Sequence, residues 1–178
     1  MAKHYIDVPT GIVKVGRERS ILTSNGIGSC VVVALYDPKK KIGGLAHVML
    51  PGKASINNIE KRKKTRYAVN ALDELKRRMT LIGADDIRSI QGVLIGGANV
   101  LKSTDDIICS ENIRSCSVYL EKNGIAIKAR AVGGTARRTV TFNIGFGKLY
   151  STEGNGKNIL LHSFARDPEP FREERGSE

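Results

Sequence analysis

Two side chains with complementary chemistry occur within a short stretch of the chain. Cys30 follows the glycine-rich segment Gly26–Ser29 and opens an apolar run, and His47 lies in the next apolar run. A thiolate is a strong nucleophile, and a neighbouring imidazole can take the thiol proton and lower the pKa of the cysteine. The pair therefore suits attack on a carbonyl carbon, if the fold brings the two side chains together.

The sequence around the two residues predicts a β-hairpin. Residues 31–36 and 44–50 are rich in β-branched and other apolar side chains, which is typical of strands. The polar segment between them, Asp-Pro-Lys-Lys-Lys at 37–41, is typical of a hairpin loop. Such a loop returns the chain antiparallel to itself, so the histidine comes back towards the cysteine.

The pairing register of this hairpin decides whether the thiol and the imidazole meet. If Tyr36 pairs with Lys41, Cys30 lies directly opposite His47 on the same face, with Cβ atoms about 4.5–5.5 Å apart. A shift by one residue places Val31 opposite His47 and turns the histidine to the other face. The register depends on the loop length, and the sequence alone leaves it open.

The composition predicts one compact domain. The chain has 178 residues, of which 40% are hydrophobic, enough for one core but not for two comfortable domains. We assign this domain to residues 1–165 and expect a disordered tail over 166–178, which is rich in Pro, Glu and Arg. No apolar run approaches the roughly 18–20 residues that span a bilayer, and no signal peptide is evident. We expect a soluble, cytoplasmic protein without membrane insertion.

The cysteines and the charge narrow the function classes. Cys30, Cys109 and Cys116 are odd in number and form no Cys-x-x-Cys pair, which argues against a disulfide framework and a structural zinc site. The net charge of +11 favours an acidic partner. A nucleic-acid partner is disfavoured, because only 5% of the residues are aromatic, no such binding motif appears, and the basic run 61–64 lies in a predicted loop.

The whole chain, with the hairpin included, predicts two helices and about seven short strands. Apolar residues recur at helical spacing within 65–79 and 105–123. The pair Gly96-Gly97 ends a predicted strand over 87–95, and we interpret it as a tight turn that approaches the active-site strand. We expect an α/β layered sandwich with a largely antiparallel or mixed sheet and two main helices. The β-prone segments 12–15 and 21–22 are expected to supply one or two early strands, and later strands are predicted at 125–132, 139–144, 147–150 and 159–162.

Five sequence blocks carry a resemblance to a known family. They are Gly26-x-Gly28-Ser29-Cys30, Tyr36-Asp37-Pro38, Gly44-x-Ala46-His47-x-Met49-Leu50-Pro51, Gly96-Gly97-Ala98, and Gly133-Gly134 followed by Arg138 and Asn143-Ile144. In order and spacing these blocks resemble the CheD family of chemoreceptor glutamine deamidases, over about residues 10–152. The resemblance implies a fold similar to that of deamidating bacterial toxins.

The resemblance also implies a reaction and a set of catalytic residues. It implies a cysteine hydrolase that converts glutamine side chains of methyl-accepting chemotaxis receptors to glutamate and releases ammonia, with no metal or cofactor. Cys30 matches the family nucleophile and His47 its general base. The third catalytic position, a threonine in well-known members, is Ser24 here. Thr23 stands just before it, and which of the two hydroxyls supports the imidazole is left open.

The implied chemistry assigns a role to the residues beside the nucleophile. Attack on a carboxamide gives an oxyanion, which needs preorganised N–H donors, and the turn at Gly28-Ser29 can present backbone amides without obstruction by side chains. Arg137 and Arg138 are candidates for contact with an acidic receptor or partner. The chain departs from the family pattern at Glu111, where many members carry an arginine.

A non-catalytic function stays open on the sequence alone. In this alternative the protein is an interaction module that binds the receptor or a CheC-type phosphatase and acts by occupancy. The presence of both Cys30 and His47 favours the enzyme. The resemblance further implies that a CheC-type partner would block the cleft by mimicking the receptor helix.

Overall fold

The computed structural model describes residues 2–57, 64–84 and 86–164. Ten strands and two main helices lie in these ranges, so the predicted α/β layered sandwich is confirmed. The helices are α1 (Ala68–Leu81) and α2 (Ile107–Lys122). The strands are β1 (His4–Asp7), β2 (Val13–Gly16), β3 (Ser20–Ile27), β4 (Val31–Asp37), β5 (Ile42–Val48), β6 (Gln91–Gly96), β7 (Ala126–Val132), β8 (Arg138–Asn143), β9 (Lys148–Glu153) and β10 (Ile159–Ser163).

The strands form two mixed sheets of five. One sheet has the order β1-β3-β8-β9-β10 and the other β2-β5-β4-β6-β7. The β1–β3 and β6–β7 pairs are parallel and the other pairs are antiparallel. The strand β1 was not predicted, because its four residues are mostly exposed and lack an apolar alternation. The predicted tail over 166–178 and most of the basic run, 61–63, lie outside the described residues.

Strand β4 lies in the middle of the molecule and is buried along its whole length. Val31, Val33 and Leu35 pack in the core that also contains the two helices. Val32 and Tyr36 belong to a second core, formed with side chains of the other sheet. Because both faces are covered, the strand reads as a continuous apolar run instead of an alternating one.

The helices form where the apolar spacing predicted them. Helix α1 starts three residues later than expected, because Tyr67 is still extended, and it ends before Gly83, which has a positive φ of 110°. Its buried stripe comprises Ala68, Ala71, Leu72, Leu75 and Met79. Among the described residues, neither helix is long and apolar enough to cross a membrane.

The register of the central hairpin differs from the predicted one by two residues. Val32, not Cys30, is the partner of His47 across the β4–β5 ladder. The expectation that Cys30 lies directly opposite His47 is therefore wrong. Because side chains alternate with a period of two, a shift by two residues keeps the histidine on the predicted face.

The turn explains why the register moved. Asp37 still pairs with Ile42 at the end of the ladder, so the turn occupies the next four residues instead of starting at Asp37. The Asp37 carboxylate accepts hydrogen bonds from the backbone N–H groups of Lys39 and Lys40 at 3.0 and 3.2 Å. Lys41 adopts a left-handed φ of 51° and closes the turn. The aspartate thus caps the turn from the strand end, as Asx turns do.

Candidate active site

His47 is held between the two sheets. It lies in β5, is fully buried, and, like Val32, faces the other sheet, β1-β3-β8-β9-β10. Ser24 of β3, in that other sheet, is also fully buried, and its Oγ lies 2.9 Å from Nδ1 of the imidazole. The predicted Ser24–His47 contact is therefore present, and Ser24, not Thr23, makes it.

The hydrogen bonds around Ser24 determine the tautomer of the imidazole. The Ser24 hydroxyl donates its only hydrogen to the backbone carbonyl of Val8 at 2.7 Å, so towards His47 its oxygen can only accept. Nδ1 is also 3.4 Å from the same Val8 carbonyl, which cannot donate. Nδ1 of His47 therefore carries the proton, and the lone pair of Nε2 is free to accept one.

Nε2 is the nitrogen of His47 that can accept a proton. Nε2 is buried and has no hydrogen-bond partner within the described part of the chain. Burial lowers the pKa of His47 below its ordinary value of 6.5, and the Val8 hydrogen bond opposes this effect only in part. The imidazole is thus neutral near pH 7 and can act as a proton acceptor through Nε2.

Cys30 lies one residue before β4, at the edge of a cavity of about 420 Å³. Val32, two residues further along the chain, pairs with His47 across the ladder, and the lining of the cavity includes Cys30 but not His47. The side chain of Cys30 is half-buried, whereas that of His47 is fully buried. The predicted Gly28 and Ser29 also line the cavity.

The glycine pair Gly96-Gly97 at the end of β6 contacts the loop that carries Cys30. The N–H of Gly97 donates to the carbonyl of Cys30 at 2.7 Å, and the N–H of Ala98 donates to the carbonyl of Gly28 at 2.8 Å. A Cβ atom on Gly96 would lie only 2.3 Å from the Cys30 carbonyl oxygen. The predicted close approach of this turn to the active-site strand is confirmed.

The thiol of Cys30 is not activated in advance. Burial raises its pKa above the ordinary value of 9.0, and its own backbone N–H lowers the pKa only in part. The expected lowering of the cysteine pKa by the imidazole is therefore absent at rest. Burial raises the pKa to about 11 for Cys109, which lines the same cavity, and to about 12 for Cys116.

The two predicted arginines are placed differently. Arg137 lines the cavity. The side chain of Arg138 is buried, donates to the carbonyl of Gly133 at 2.8 Å, and pairs with Glu153 at 3.3 Å. Arg138 is thus occupied within the fold, which corrects its selection as a contact residue, and only Arg137 remains a candidate.

Asn112 of α2 was not predicted as a site residue. Its side chain is fully buried, and its Nδ2 donates to the backbone carbonyls of Ser29 and Met49. Asn112 precedes the inward-facing Cys116 and Leu120 at spacings of four and eight. A polar residue on the inward stripe of an amphipathic helix was the available signal.

The arrangement fits the chemistry of a cysteine-dependent amide hydrolase. It combines an accessible thiol, a neutral histidine with a free and buried Nε2, and a hydroxyl that orients the ring. A base that is oriented by a third group is the general pattern of nucleophile activation. The fold and the geometry are therefore compatible with this class of site.

Comparisons with known proteins identify the family. The family profile described as CheD chemotactic sensory transduction matches residues 49–153. The "Probable chemoreceptor glutamine deamidase CheD" of Chlorobium luteolum is 36% identical over 155 residues, which cover 87% of this chain and 76% of that protein. The "Chemoreceptor glutamine deamidase CheD" of Thermotoga maritima is 32% identical over 152 residues, covering 85% of this chain and 94% of that protein. The chain therefore belongs to the CheD family.

The profile match covers only part of the candidate site. It begins at Met49 and so includes Asn112 and Arg137 but excludes Ser24, Cys30 and His47. The roles proposed for these three residues rest on the hydrogen bond and burial of Ser24 and His47 and on the position of Cys30 at the cavity.

Proposed function

We propose that this protein is a cysteine hydrolase that deamidates glutamine side chains of chemoreceptors to glutamate. The single observation that carries the proposal is the Ser24–His47 pair with its free Nε2, in which His47 lies in the strand that pairs with β4, and β4 begins directly after the half-buried Cys30. The relatives named as chemoreceptor glutamine deamidases support the choice of substrate.

The residues act in two stages. As the substrate carboxamide enters, Nε2 of His47 takes the proton of the Cys30 thiol, and the sulfur attacks the side-chain carbonyl carbon. The resulting oxyanion needs N–H donors, and collapse of the intermediate expels ammonia after His47 returns the proton to the nitrogen. Water, deprotonated by the same nitrogen, then hydrolyses the thioester and releases the glutamate side chain.

The entrance to the cavity suits a protein substrate better than free glutamine. Leu101 and Ile108 line the cavity and are 88% and 40% exposed, and Ile107 beside them is 69% exposed. Exposed apolar side chains grouped around a cleft are typical of a surface that contacts another protein. Arg137 adds a positive charge to the same lining. Free glutamine, which is small and polar, would leave these apolar side chains without contacts.

The experiment measures deamidation directly. Purified protein is incubated with cytoplasmic fragments of the cognate chemoreceptors, and mass spectrometry follows the gain of about one dalton per converted glutamine. We expect a gain with the wild type and with Cys109→Ala, which removes another thiol of the same cavity, but none with Cys30→Ala. The absence of any gain, or an equal gain with Cys30→Ala, refutes the proposal.

The interaction module is the second candidate function, because the apolar residues at the cavity entrance could also bind a partner. In that case the protein would act by occupancy on the receptor or on a CheC-type phosphatase. Cys30→Ala separates the two functions in a chemotaxis assay of a strain that carries only this variant. If the protein acts as an enzyme, we expect this strain to lose adaptation. If it acts as an interaction module, we expect the strain to adapt normally.

A further inference from the structure

Asn112 links the two ends of the active-site hairpin. Its side chain is fully buried, and its Nδ2 donates to the carbonyl of Ser29 at 3.0 Å and to that of Met49 at 3.1 Å. Ser29 precedes Cys30, and Met49 follows the strand that carries His47. Both acceptors are carbonyls, so the orientation of the amide is determined by its partners.

The bond to Ser29 determines where the backbone N–H of Cys30 points. The described peptide bonds are all trans, and in a planar trans peptide the C=O and the following N–H point in opposite directions. Because Asn112 holds the Ser29 carbonyl towards α2, the Cys30 N–H is directed away from α2. The Cys30 carbonyl is held in turn by the N–H of Gly97. Both peptide units around the nucleophile are therefore fixed.

The Cys30 N–H is available to a substrate. Within the described residues, no backbone carbonyl accepts a hydrogen bond from it. The N–H and the thiol belong to the same residue, so the N–H is close to the sulfur, whose pKa it partly lowers. An oxyanion formed by attack of this sulfur develops near the same N–H, where a preorganised donor is most effective.

Packing alone does not account for an asparagine at this position. With Nδ2 engaged by two carbonyls, Oδ1 of Asn112 is buried and without a partner among the described residues. A buried acceptor without a partner is costly and calls for an explanation.

We propose that Asn112 is a positioning residue that holds the Ser29–Cys30 peptide so that its N–H stabilises the oxyanion. The inference rests on the proposed function, because it concerns the transition state of that reaction. Asn112 itself does not contact the reacting atoms and acts through the backbone of the nucleophile.

The test compares two reactions of the same thiol. Deamidation of receptor fragments passes through an oxyanion, whereas alkylation of Cys30 by iodoacetamide does not. For Asn112→Asp, which keeps the shape but loses the amide donors, we expect kcat for deamidation to fall about 10²-fold or more with KM nearly unchanged. We expect the alkylation rate of Cys30, followed by mass spectrometry, to stay within about 3-fold of the wild type, since no oxyanion forms.

The controls separate this role from a structural one. Asn123→Asp makes the same change at the end of the same helix, where Nδ2 of Asn123 donates to the carbonyl of Tyr119, and should affect neither reaction. If Asn112→Asp fails to fold, Asn112→Ser, which is smaller and uncharged, takes its place. Equal losses in both reactions, or normal deamidation by a folded variant, overturn the inference. A wild type that does not deamidate refutes the proposed function instead.

Discussion

The two halves of the candidate active site are held in different ways. His47 lies in β5, its side chain is fully buried between the two sheets, and a side chain of the opposite sheet orients it. Cys30 lies in a loop beside a cavity, half-buried, and neighbouring backbone groups hold it. The difference fits the tasks proposed for the two residues, because a base needs one tautomer and one orientation, whereas a nucleophile must stay accessible to a protein substrate.

The largest effect is expected on the histidine half. His47→Gln removes the proton acceptor, so kcat/KM for receptor deamidation should fall by about 10²–10⁴-fold. His162→Gln is the matched control, because Nε2 of His162 is also buried and without a partner within the described ranges, but lies in β10. A His47→Gln variant with nearly normal kcat/KM would show that His47 has only a structural role.

The cysteine half is tested through its supporting glycine. A Cβ atom in Gly96→Ala would meet the Cys30 carbonyl oxygen at 2.3 Å, and the φ of 115° is unfavourable for alanine. Displacement of the nucleophile should lower kcat/KM by about 10²-fold.

Gly124→Ala is the control for Gly96→Ala. Gly124 also has a positive φ, of 68°, but open space around the added atom, so the control should lose some stability and no activity. Thermal unfolding and mass-spectrometric deamidation assays measure the two effects. Normal deamidation by Gly96→Ala would mean that the loop tolerates displacement.

A smaller effect is expected for the hydroxyl that orients the imidazole. Ser24→Ala removes the Ser24–His47 hydrogen bond, worth about 1–2 kcal/mol, which corresponds to a loss in kcat of about 10-fold. Ser24→Thr retains the hydroxyl and should restore most of the activity. Steady-state kinetics on receptor fragments compare the three proteins. Equal losses in Ser24→Ala and Ser24→Thr would indicate a packing defect instead of a lost orientation.

The smallest effect is expected for the dependence of kcat/KM on pH. Burial lowers the pKa of His47 below 6.5 and raises that of Cys30 above 9.0, so the neutral pair is the resting state over the range between them. Deamidation should be lost as the pH falls through the lowered pKa of His47, because the protonated imidazole no longer accepts a proton. Profiles of kcat/KM against pH should therefore be flat between pH 6.5 and 9.0.

Alkylation of Cys30 provides the independent check on the resting state. Since its pKa is raised, the rate with iodoacetamide should still increase with pH above 8. A rate that is already constant at pH 7 would show a preformed thiolate–imidazolium pair and contradict the neutral state.

Several features could be predicted from the sequence because they depend on local spacing. The apolar stripe of α1, the strands of the central hairpin and the turn at Gly96-Gly97 all follow from residue type and periodicity. The hairpin register was predicted wrongly, because Asp37 belongs to the strand and its carboxylate caps the turn. The turn therefore lies one residue later in the chain than predicted. The period of two nevertheless kept His47 on the predicted face.

The sequence by itself determined which groups are the candidates for the chemistry: a thiol after glycines, an imidazole in a strand and a hydroxyl before both. Only the tertiary structure decided how they are held. Ser24 reaches His47 from another sheet, and Asn112 reaches the Cys30 loop from a helix more than eighty positions away. Arg138 is buried in an ion pair with Glu153 and removed from the surface. These contacts join residues distant in sequence, and local patterns carry no information about such pairs.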